Sequence, residues 1–293
     1  GTDFDFTPPH VVRVYPRPGE EIPKNSIVQI TFSEPMSPIS TQGDHSVNSP
    51  FHNLIFGSNA VTGHWKLTNA GRTAEFLSDE ACGQNSCGDI MYCLPTICED
   101  ESCPYQVLAR TAELLAPGSF ESVFGPNSGL TDMYGNALDG RTLPDVAFSH
   151  DGVAQGKPPV AAVKQIGENE RQADNFWFDF SVRDEIDLSV PYIRDVRPLL
   201  DQGGIEGNAP ITLRFNDQMW YRSMGGLALE EYPGTLEQGD ELPEGLADLR
   251  QPWTRTVAEE QNAQTVVSLE HREFGPNNWD LYYFVSIPST VKN

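Results

Sequence analysis

The sequence predicts an all-β protein built from two tandem β-sandwich domains, and three observations lead to this prediction. Short runs such as VVRVYP, IVQITF and ITLRF carry apolar residues at alternate positions, a pattern that buries one face of a β-strand. Turn signals rich in Pro, Gly and Asn, such as RPGEEIPKN and DQGGIEGN, separate these runs. The third observation is an internal repeat. Many short strands with turns between them are typical of a sandwich.

Long helices have little room in a chain that contains 23 Pro and 25 Gly. We expect only short helices, around 107–115 and 223–231, and the first of these segments fits a strand followed by a turn equally well. The 15 Phe, nine Tyr and five Trp residues can supply a hydrophobic core, which distinguishes the chain from a disordered one.

The repeat consists of several matches that occur in the same order with a nearly constant offset. The matching segments are 7–16 and 189–198, 21–36 and 204–219, 73–86 and 265–278, and 90–95 and 282–288. Aligned residues are Ile22 with Ile205, Asn25 with Asn208, Met36 with Met219, and Leu77 with Leu269. A period of roughly 180 residues is too long for a solenoid, whose repeats run ~20–50 residues, and fits duplicated domains.

The segment PPHVVRVYPRPGEEIPKNSIVQITFSEPM resembles the opening of the bacterial immunoglobulin-like domains of S-layer proteins and large surface adhesins. The segments YQVLA (105–109) and GLTDMYGNALDG (129–140) resemble the closing hairpin of those domains. The match extends over 8–36 and 105–148, and more loosely over 191–219, where Asp217 stands in place of Glu34. The resemblance implies an immunoglobulin-like sandwich in each domain, a location on the cell surface and no catalysis.

The predicted organisation has two domains of unequal length. A linker at 1–7 leads into the first domain, 8–182, which contains a cysteine-rich loop at 82–103. An acidic linker at 183–190 precedes the second domain, 191–293. The second domain is predicted to be incomplete, because no counterpart of the Tyr105 strand or of the closing strand NFWFDFSV is found in it. We expect further sequence or a neighbouring subunit to complete it, since an open sandwich exposes an unpaired edge.

The charge balance excludes some classes of partner. Lys and Arg number 19 against 42 Asp and Glu, which gives a net charge of −23 and argues against binding to nucleic acid or an anionic membrane. No run approaches the ~18 apolar residues of a membrane-spanning helix. The acids are spread along the chain, which is typical of a solvated surface, and gathering of divalent cations is the alternative.

The five cysteines, Cys82, Cys87, Cys93, Cys98 and Cys103, all fall within one short window. Their spacing lacks the C-x2-C pairs of structural zinc sites, so disulfides are favoured over a metal, and disulfides persist in oxidising compartments. Connectivity does not follow from sequence. Local pairing would join Cys82 to Cys87 and Cys98 to Cys103, with Cys93 left over.

The sequence predicts no enzyme. The six His occur singly, and neither H-E-x-x-H nor G-x-S-x-G is present. In VTGHWKL, His64 and Trp65 fit packing in a strand better than metal ligation. Acid pairs such as Asp184 and Glu185 carry no specific signal in so acidic a chain. No cofactor is required by any of these patterns.

Acidic residues at the two predicted joints make calcium the one candidate metal. Calcium favours six to eight oxygen ligands on flexible loops. The candidate ligands are Asp3, Asp5, Glu34, Asp132 and Asn136 at the first joint, and Asp184, Glu185, Asp187 and Asp217 at the second. The alternative is that the Asp and Asn side chains form Asx-turns.

Aromatic residues offer a second candidate function. Trp177 alternates with Phe176, Phe178 and Phe180, and Trp279 precedes Tyr282 and Tyr283. An exposed row could bind a glycan, but a sandwich core needs such residues. We therefore expect an extracellular structural protein of a cell surface, a lattice, stalk or filament subunit, whose partners are its own copies or neighbouring domains. An adhesin or carbohydrate-binding module is the alternative.

Overall fold

The computed structural model of the protein describes residues 7–42, 53–56, 61–85, 88–96, 98, 101–112, 129–140, 175–199, 202–233, 253–260, 264–271 and 281–293. The chain divides into two compact units, residues 1–188 and 189–293, and this division falls inside the acidic segment 183–190. Strands dominate both units, as the sequence predicted.

The first unit contains ten described strands. They are β1 (Val11–Tyr15), β2 (Glu21–Pro23), β3 (Val28–Phe32), β4 (Leu54–Phe56), β5 (Gly63–Thr68), β6 (Thr73–Ser78), β7 (Ala81–Gln84), β8 (Ile90–Tyr92), β9 (Ser102–Ala109) and β10 (Phe176–Arg183). One sheet has the order β1-β3-β6-β5 with antiparallel neighbours. The other has the order β2-β10-β9-β4, in which β2 runs parallel to β10. Strands β7 and β8 form a separate hairpin.

A single hydrophobic cluster lies between the two sheets of the first unit, which makes this unit a β-sandwich. Successive side chains of a strand point to opposite faces, so alternate residues enter the core. On β10 these are Phe176, Phe178 and Phe180, all buried. Val14 of β1 and Ile30 of β3 face them in the same cluster. The alternating pattern of the sequence therefore predicts the core face of β10 correctly.

The second unit repeats part of this arrangement. Its described strands are β11 (Ile193–Arg197), β12 (Ile211–Phe215), β13 (Ala228–Pro233), β14 (Trp253–Glu260), β15 (Gln264–His271) and β16 (Leu281–Ser286). One sheet has the order β11-β12-β15-β14, and β13 pairs antiparallel with β16. The core contains Leu213, Phe215 and Met219 together with Tyr221 and Leu269.

Two parts of the sequence repeat are wrong in detail. Leu269 pairs with Ile211, and Phe76 pairs with Val28, which is the residue equivalent to Ile211. Leu269 therefore corresponds to Phe76 and lies one residue away from its expected match, Leu77. Such a slip exchanges the two faces of a strand, and only pairing with the neighbouring strand fixes it.

The expected absence of a counterpart to the Tyr105 strand is also wrong. Strand β16 pairs antiparallel with β13, in the same way that β9 pairs with β4. Strand β16 therefore occupies the position of β9, although its sequence was matched to residues 90–95. No described strand of residues 189–293 pairs with the other edge of β16.

The helices agree only in part with those expected, since a 3-10 helix overlaps the beginning of the expected segment 223–231. A five-residue helix, α1, spans Pro38–Gln42, and 3-10 helices span Asn69–Gly71 and Tyr221–Gly226. Residues 107–109 form the end of β9, so the strand alternative for the segment 107–115 is right at these residues. Strand β13 begins inside the expected helix at 223–231, and its Leu229 pairs with Val285. Among the described residues, no helix combines the length and apolarity needed to cross a membrane.

Candidate functional site

The candidate site is the exit segment, residues 183–187, where the chain leaves β10. Asp184 lies beside a lysine at the turn that follows β2. The Nζ atom of Lys24 lies 2.7 Å from Oδ1 of Asp184, and Thr96 donates its hydroxyl to the same oxygen at 3.0 Å. The backbone N–H of Lys24 donates to the carbonyl oxygen of Glu185 at 2.9 Å. These contacts hold the segment against the body of the first unit.

Asn25 also holds the exit segment, through two hydrogen bonds from its side chain to the backbone of Asp187. Its side-chain Nδ2 donates to the carbonyl oxygen of Asp187 at 2.7 Å, and its Oδ1 accepts from the N–H of the same residue at 2.8 Å. The amide side chain therefore substitutes for a neighbouring strand. Arg183 also lies 3.5 Å from a carboxylate oxygen of Glu21 and 3.3 Å from one of Glu185.

The environment of Asp184 favours its ionised form. Its pKa lies below the ordinary 3.8, first because Lys24 donates a hydrogen bond, next because Thr96 donates another, and then because the charge of Lys24 is close. The carboxylate is exposed, so this shift describes a local attachment and not a large contribution to the stability of the unit.

A loop that contains two disulfides packs next to the turn of Lys24. The structure joins Cys82 to Cys93 and Cys98 to Cys103. In this loop the N–H of Leu94 donates to the carbonyl oxygen of Lys24 at 2.8 Å. The loop thus contacts the same turn that holds the exit segment.

The expected local pairing of Cys82 with Cys87 is wrong, whereas that of Cys98 with Cys103 agrees with the structure. The antiparallel hairpin of β7 and β8 pairs Ala81 with Tyr92, which brings the neighbouring Cys82 and Cys93 to a Cα separation of 5.8 Å. Cys87 lies outside the described residues.

Of the candidate calcium ligands at the first joint, the structure brings Asp132 and Asn136 together. Oδ1 of Asp132 accepts from the N–H groups of Tyr134 and Asn136, both at 2.8 Å, and Oδ2 accepts from Nδ2 of Asn136 at 2.7 Å. A bridge between Met36 and Asp132 places the corner that contains Glu34 next to this turn. The carboxylate therefore serves its own Asx-turn. Asp3 and Asp5 lie outside the described residues.

The candidate ligands at the second joint have separate partners. Asp184, Glu185 and Asp187 are held as described above. Oδ1 of Asp217 accepts from the N–H of Gln218 at 2.8 Å, and its Oδ2 accepts from Nδ2 of Asn293 at 3.0 Å. Across the described parts of the chain, no group of three or more His, Cys, Asp or Glu side chains is arranged to hold a metal ion.

The aromatic residues divide between core and surface as packing requires. Phe176, Phe178 and Phe180 are buried, while Trp177 on the opposite face of β10 packs against Ile55 and Leu108. Trp65 is also in the core, and His64 lies 3.4 Å from Asp79 at the surface. Trp279 and the side chains of Tyr282 and Tyr283 lie outside the described residues.

Sequence reasoning identified the acids of the exit segment but missed their partners Lys24, Asn25 and Thr96. One signal was available for Asn25, because the repeat aligns it with Asn208. An Asn that occupies the same turn in both copies points to a role in holding backbone.

The fold and these contacts define a tandem all-β protein whose first unit is a disulfide-bonded sandwich with a tethered exit segment. No protein-family model matches the chain, and no curated protein matches it.

Proposed function

We propose that the protein is a non-catalytic structural protein of a cell surface, in which tandem immunoglobulin-like domains act as units of a lattice, stalk or filament. The observation that carries the proposal is the strand order of the first unit. The order β1-β3-β6-β5 corresponds to ABED of an immunoglobulin constant-type sandwich, and β4, β9 and β10 correspond to CFG. The seven strands follow the letters A to G in chain order, and sandwiches of this kind recur in cell-surface proteins.

Tyr105 supports the same assignment. It lies on β9, the counterpart of strand F, and its hydroxyl donates to the carbonyl oxygen of Pro95, ten residues upstream. Immunoglobulin-like domains have a comparable tyrosine at the start of strand F, which bonds back to the connection from strand E. The bond therefore favours the immunoglobulin-like class over other sandwiches.

The two disulfides support an extracellular location, because such bonds persist in oxidising compartments and are rare in the cytosol. The net charge of −23 suits a surface exposed to water. A spacer also benefits from a defined exit direction, which the bonds of Lys24 and Asn25 to residues 184–187 provide. Copies of the chain or adjoining domains are the proposed partners.

Immunogold electron microscopy of the native cells tests this proposal. Antibodies raised against the purified chain should label intact cells, and the label should follow an ordered layer or filament. An antibody against a cytosolic protein, which should label only permeabilised cells, is the control. Labelling by the first antibody that also requires permeabilisation would rule out a surface role.

A further inference from the structure

The two disulfides of the first unit differ in their access to solvent. Cys98 is exposed, and its partner Cys103, near the start of β9, is 5% exposed. In the other disulfide, Cys93 is 3% exposed and Cys82 is partly exposed. Thiol–disulfide exchange begins when a thiolate attacks one sulfur of the bond, and exposed disulfides are the labile ones. The Cys98–Cys103 bond is therefore the more accessible of the two, and the attack falls on Cys98.

The backbone favours the departure of Cys103 in such an attack. The N–H of Cys98 donates to Sγ of Cys103 at 3.2 Å. A hydrogen bond to a thiolate stabilises the charged form, and a sulfur with a lower pKa is the faster leaving group. The donor thus lies where negative charge develops as the bond between the two sulfurs breaks.

The Cys82–Cys93 disulfide is held together by more than its covalent bond. The N–H of Cys93 donates to the carbonyl oxygen of Glu80 at 2.9 Å, and the hydroxyl of Ser78 donates to the carbonyl oxygen of Cys93 at 2.6 Å. The pairing of Ala81 with the residue before Cys93 belongs to the β7–β8 hairpin. Because this pairing keeps the two cysteines adjacent, closure of their disulfide costs little chain entropy.

Thr96, which donates to Asp184 in the exit segment, lies between two fixed points of the chain. On one side, Pro95 is buried and its carbonyl oxygen accepts a hydrogen bond. On the other side, Cys98 is fixed by its disulfide. Cleavage of that disulfide removes one of the two restraints on Thr96. The hydroxyl of Thr96 is then free to leave Asp184, because the bond between them is exposed to water.

We propose that the Cys98–Cys103 disulfide is a site of reversible exchange with a dithiol reductant, and that its reduction releases Thr96 from Asp184. The rest of the first unit stays folded, because β9 remains paired with β10 from Ser102 to Ala109. The inference does not depend on the cell-surface role.

The exchange has two steps. A thiolate of the reductant attacks Sγ of Cys98 and forms a mixed disulfide, and Cys103 leaves as a thiolate that takes up a proton. The second thiolate of the reductant then attacks its own sulfur in the mixed disulfide, and Cys98 leaves and takes up a proton. The reductant becomes a disulfide, and its two electrons and two protons pass to the two cysteines.

Dithiothreitol treatment of the native 293-residue chain, followed by alkylation and peptide mapping, tests the site. We expect Cys98 and Cys103 to be alkylated at least about tenfold faster than Cys82 and Cys93, because exposed disulfides exchange faster. Amide exchange of β3 and β10 should stay unchanged, which verifies that the first unit is folded. In urea the two pairs should react at similar rates.

Reduced glutathione, a monothiol, identifies the sulfur that is attacked. Alkylation during the reaction should place glutathione on Cys98 and the alkyl group on Cys103. The same products should form in Cys87→Ser, which removes the fifth cysteine as an internal nucleophile.

The carboxyl signal of Asp184 in carbon-detected NMR measures the release of Thr96. Reduction should move this signal to its position in oxidised Thr96→Val. It should have no further effect in that variant, because the hydrogen bond is already absent. The signal of Asp132, whose partners lie in its own turn, is the control and should not move.

Results that overturn the proposal are equally distinct. Resistance of the Cys98–Cys103 bond to dithiothreitol, or equal reactivity of the two pairs in the folded chain, would exclude selective exchange. Glutathione on Cys103, or loss of the products in Cys87→Ser, would exclude direct attack on Cys98. An Asp184 signal that does not respond to reduction, or that responds equally in Thr96→Val, would exclude the release of Thr96.

Discussion

The hydroxyl of Tyr105 donates a hydrogen bond to the backbone carbonyl of Pro95 and so ties the disulfide-bonded loop to the core of the first unit. The ring of Tyr105 stacks on Phe180 of β10 with centroids 5.8 Å apart. Both Tyr105 and Pro95 are buried, so neither partner can exchange the bond for water. One residue therefore connects the loop, strand β9 and strand β10.

Tyr105→Phe keeps the ring and removes this bond. We expect a loss of about 1–2 kcal/mol in the free energy of unfolding of the first unit, because the carbonyl of Pro95 remains buried without its donor. Urea denaturation measures the change. Tyr92→Phe, at an exposed position of β8, should be neutral, and equal effects of the two variants would contradict the role of Tyr105.

Alkaline pH tests the same residue through its ionisation. Burial, and then the charge of Glu80, raise the pKa of Tyr105 above the ordinary 10.0. The unfolded chain therefore loses this proton at a lower pH than the folded one. The stability contributed by the neutral phenol is full below pH 10.0 and declines as the pH rises through the folded pKa. Stability should fall more steeply above that pH in the wild type than in Tyr105→Phe.

Asp132 organises the turn before the end of the first unit. Asp132→Ala removes the acceptor of three hydrogen bonds in a buried position and should cost about 2–3 kcal/mol by urea denaturation. Asp132→Asn keeps one oxygen acceptor and should cost less. Asp79→Ala, at an exposed acid, is the control and should cost under about 0.5 kcal/mol.

A calcium titration of the wild type distinguishes the two roles considered for Asp132. If the carboxylate serves only its Asx-turn, millimolar calcium and a chelator should leave the melting temperature unchanged. A melting temperature that rises with calcium in the wild type but not in Asp132→Asn would instead support the metal site.

The structure predicts which cysteines are linked by disulfides. Peptide mapping without reduction should recover Cys82 linked to Cys93, and Cys98 linked to Cys103. Replacing each pair by Ser should cost about 3 kcal/mol for the longer loop and about 2 kcal/mol for the shorter one. A linked peptide that joins Cys82 to Cys87 would contradict the structure.

The pKa of Asp184 tests whether the exit segment is attached to Lys24. Carbon-detected NMR titration should give it a pKa below 3.8 in the wild type. Lys24→Met should raise this pKa more than Thr96→Val, because Lys24 supplies the larger effect, whereas Lys66→Met should leave it unchanged. Since the folded pKa is lowered, the attachment is complete above pH 3.8 and weakens as the pH falls through the folded pKa. An unshifted Asp184 would show that the exit segment is not held by Lys24.

Local pattern was sufficient to place most strands of the first unit. The alternation in 176–182 appears directly in burial, because a strand that lies on a core must expose opposite faces in turn. The aligned pairs Ile22 with Ile205 and Met36 with Met219 likewise follow from the repeat. The alignment of β15 slipped because β6 offers two adjacent apolar residues, Phe76 and Leu77, and either of them fits the position of Leu269.

The sequence alone determined the all-β class, the duplication and the assignment of Phe178 and Phe180 to a core, since each depends on periodicity within a few residues. The tertiary structure decided which distant groups meet. Lys24 and Asp184 are separated by 160 positions, β2 pairs in parallel with β10, and Cys82 selects Cys93 through the β7–β8 hairpin. These partners are fixed by the packing of two sheets and by backbone hydrogen bonds across them, and no local pattern encodes that geometry.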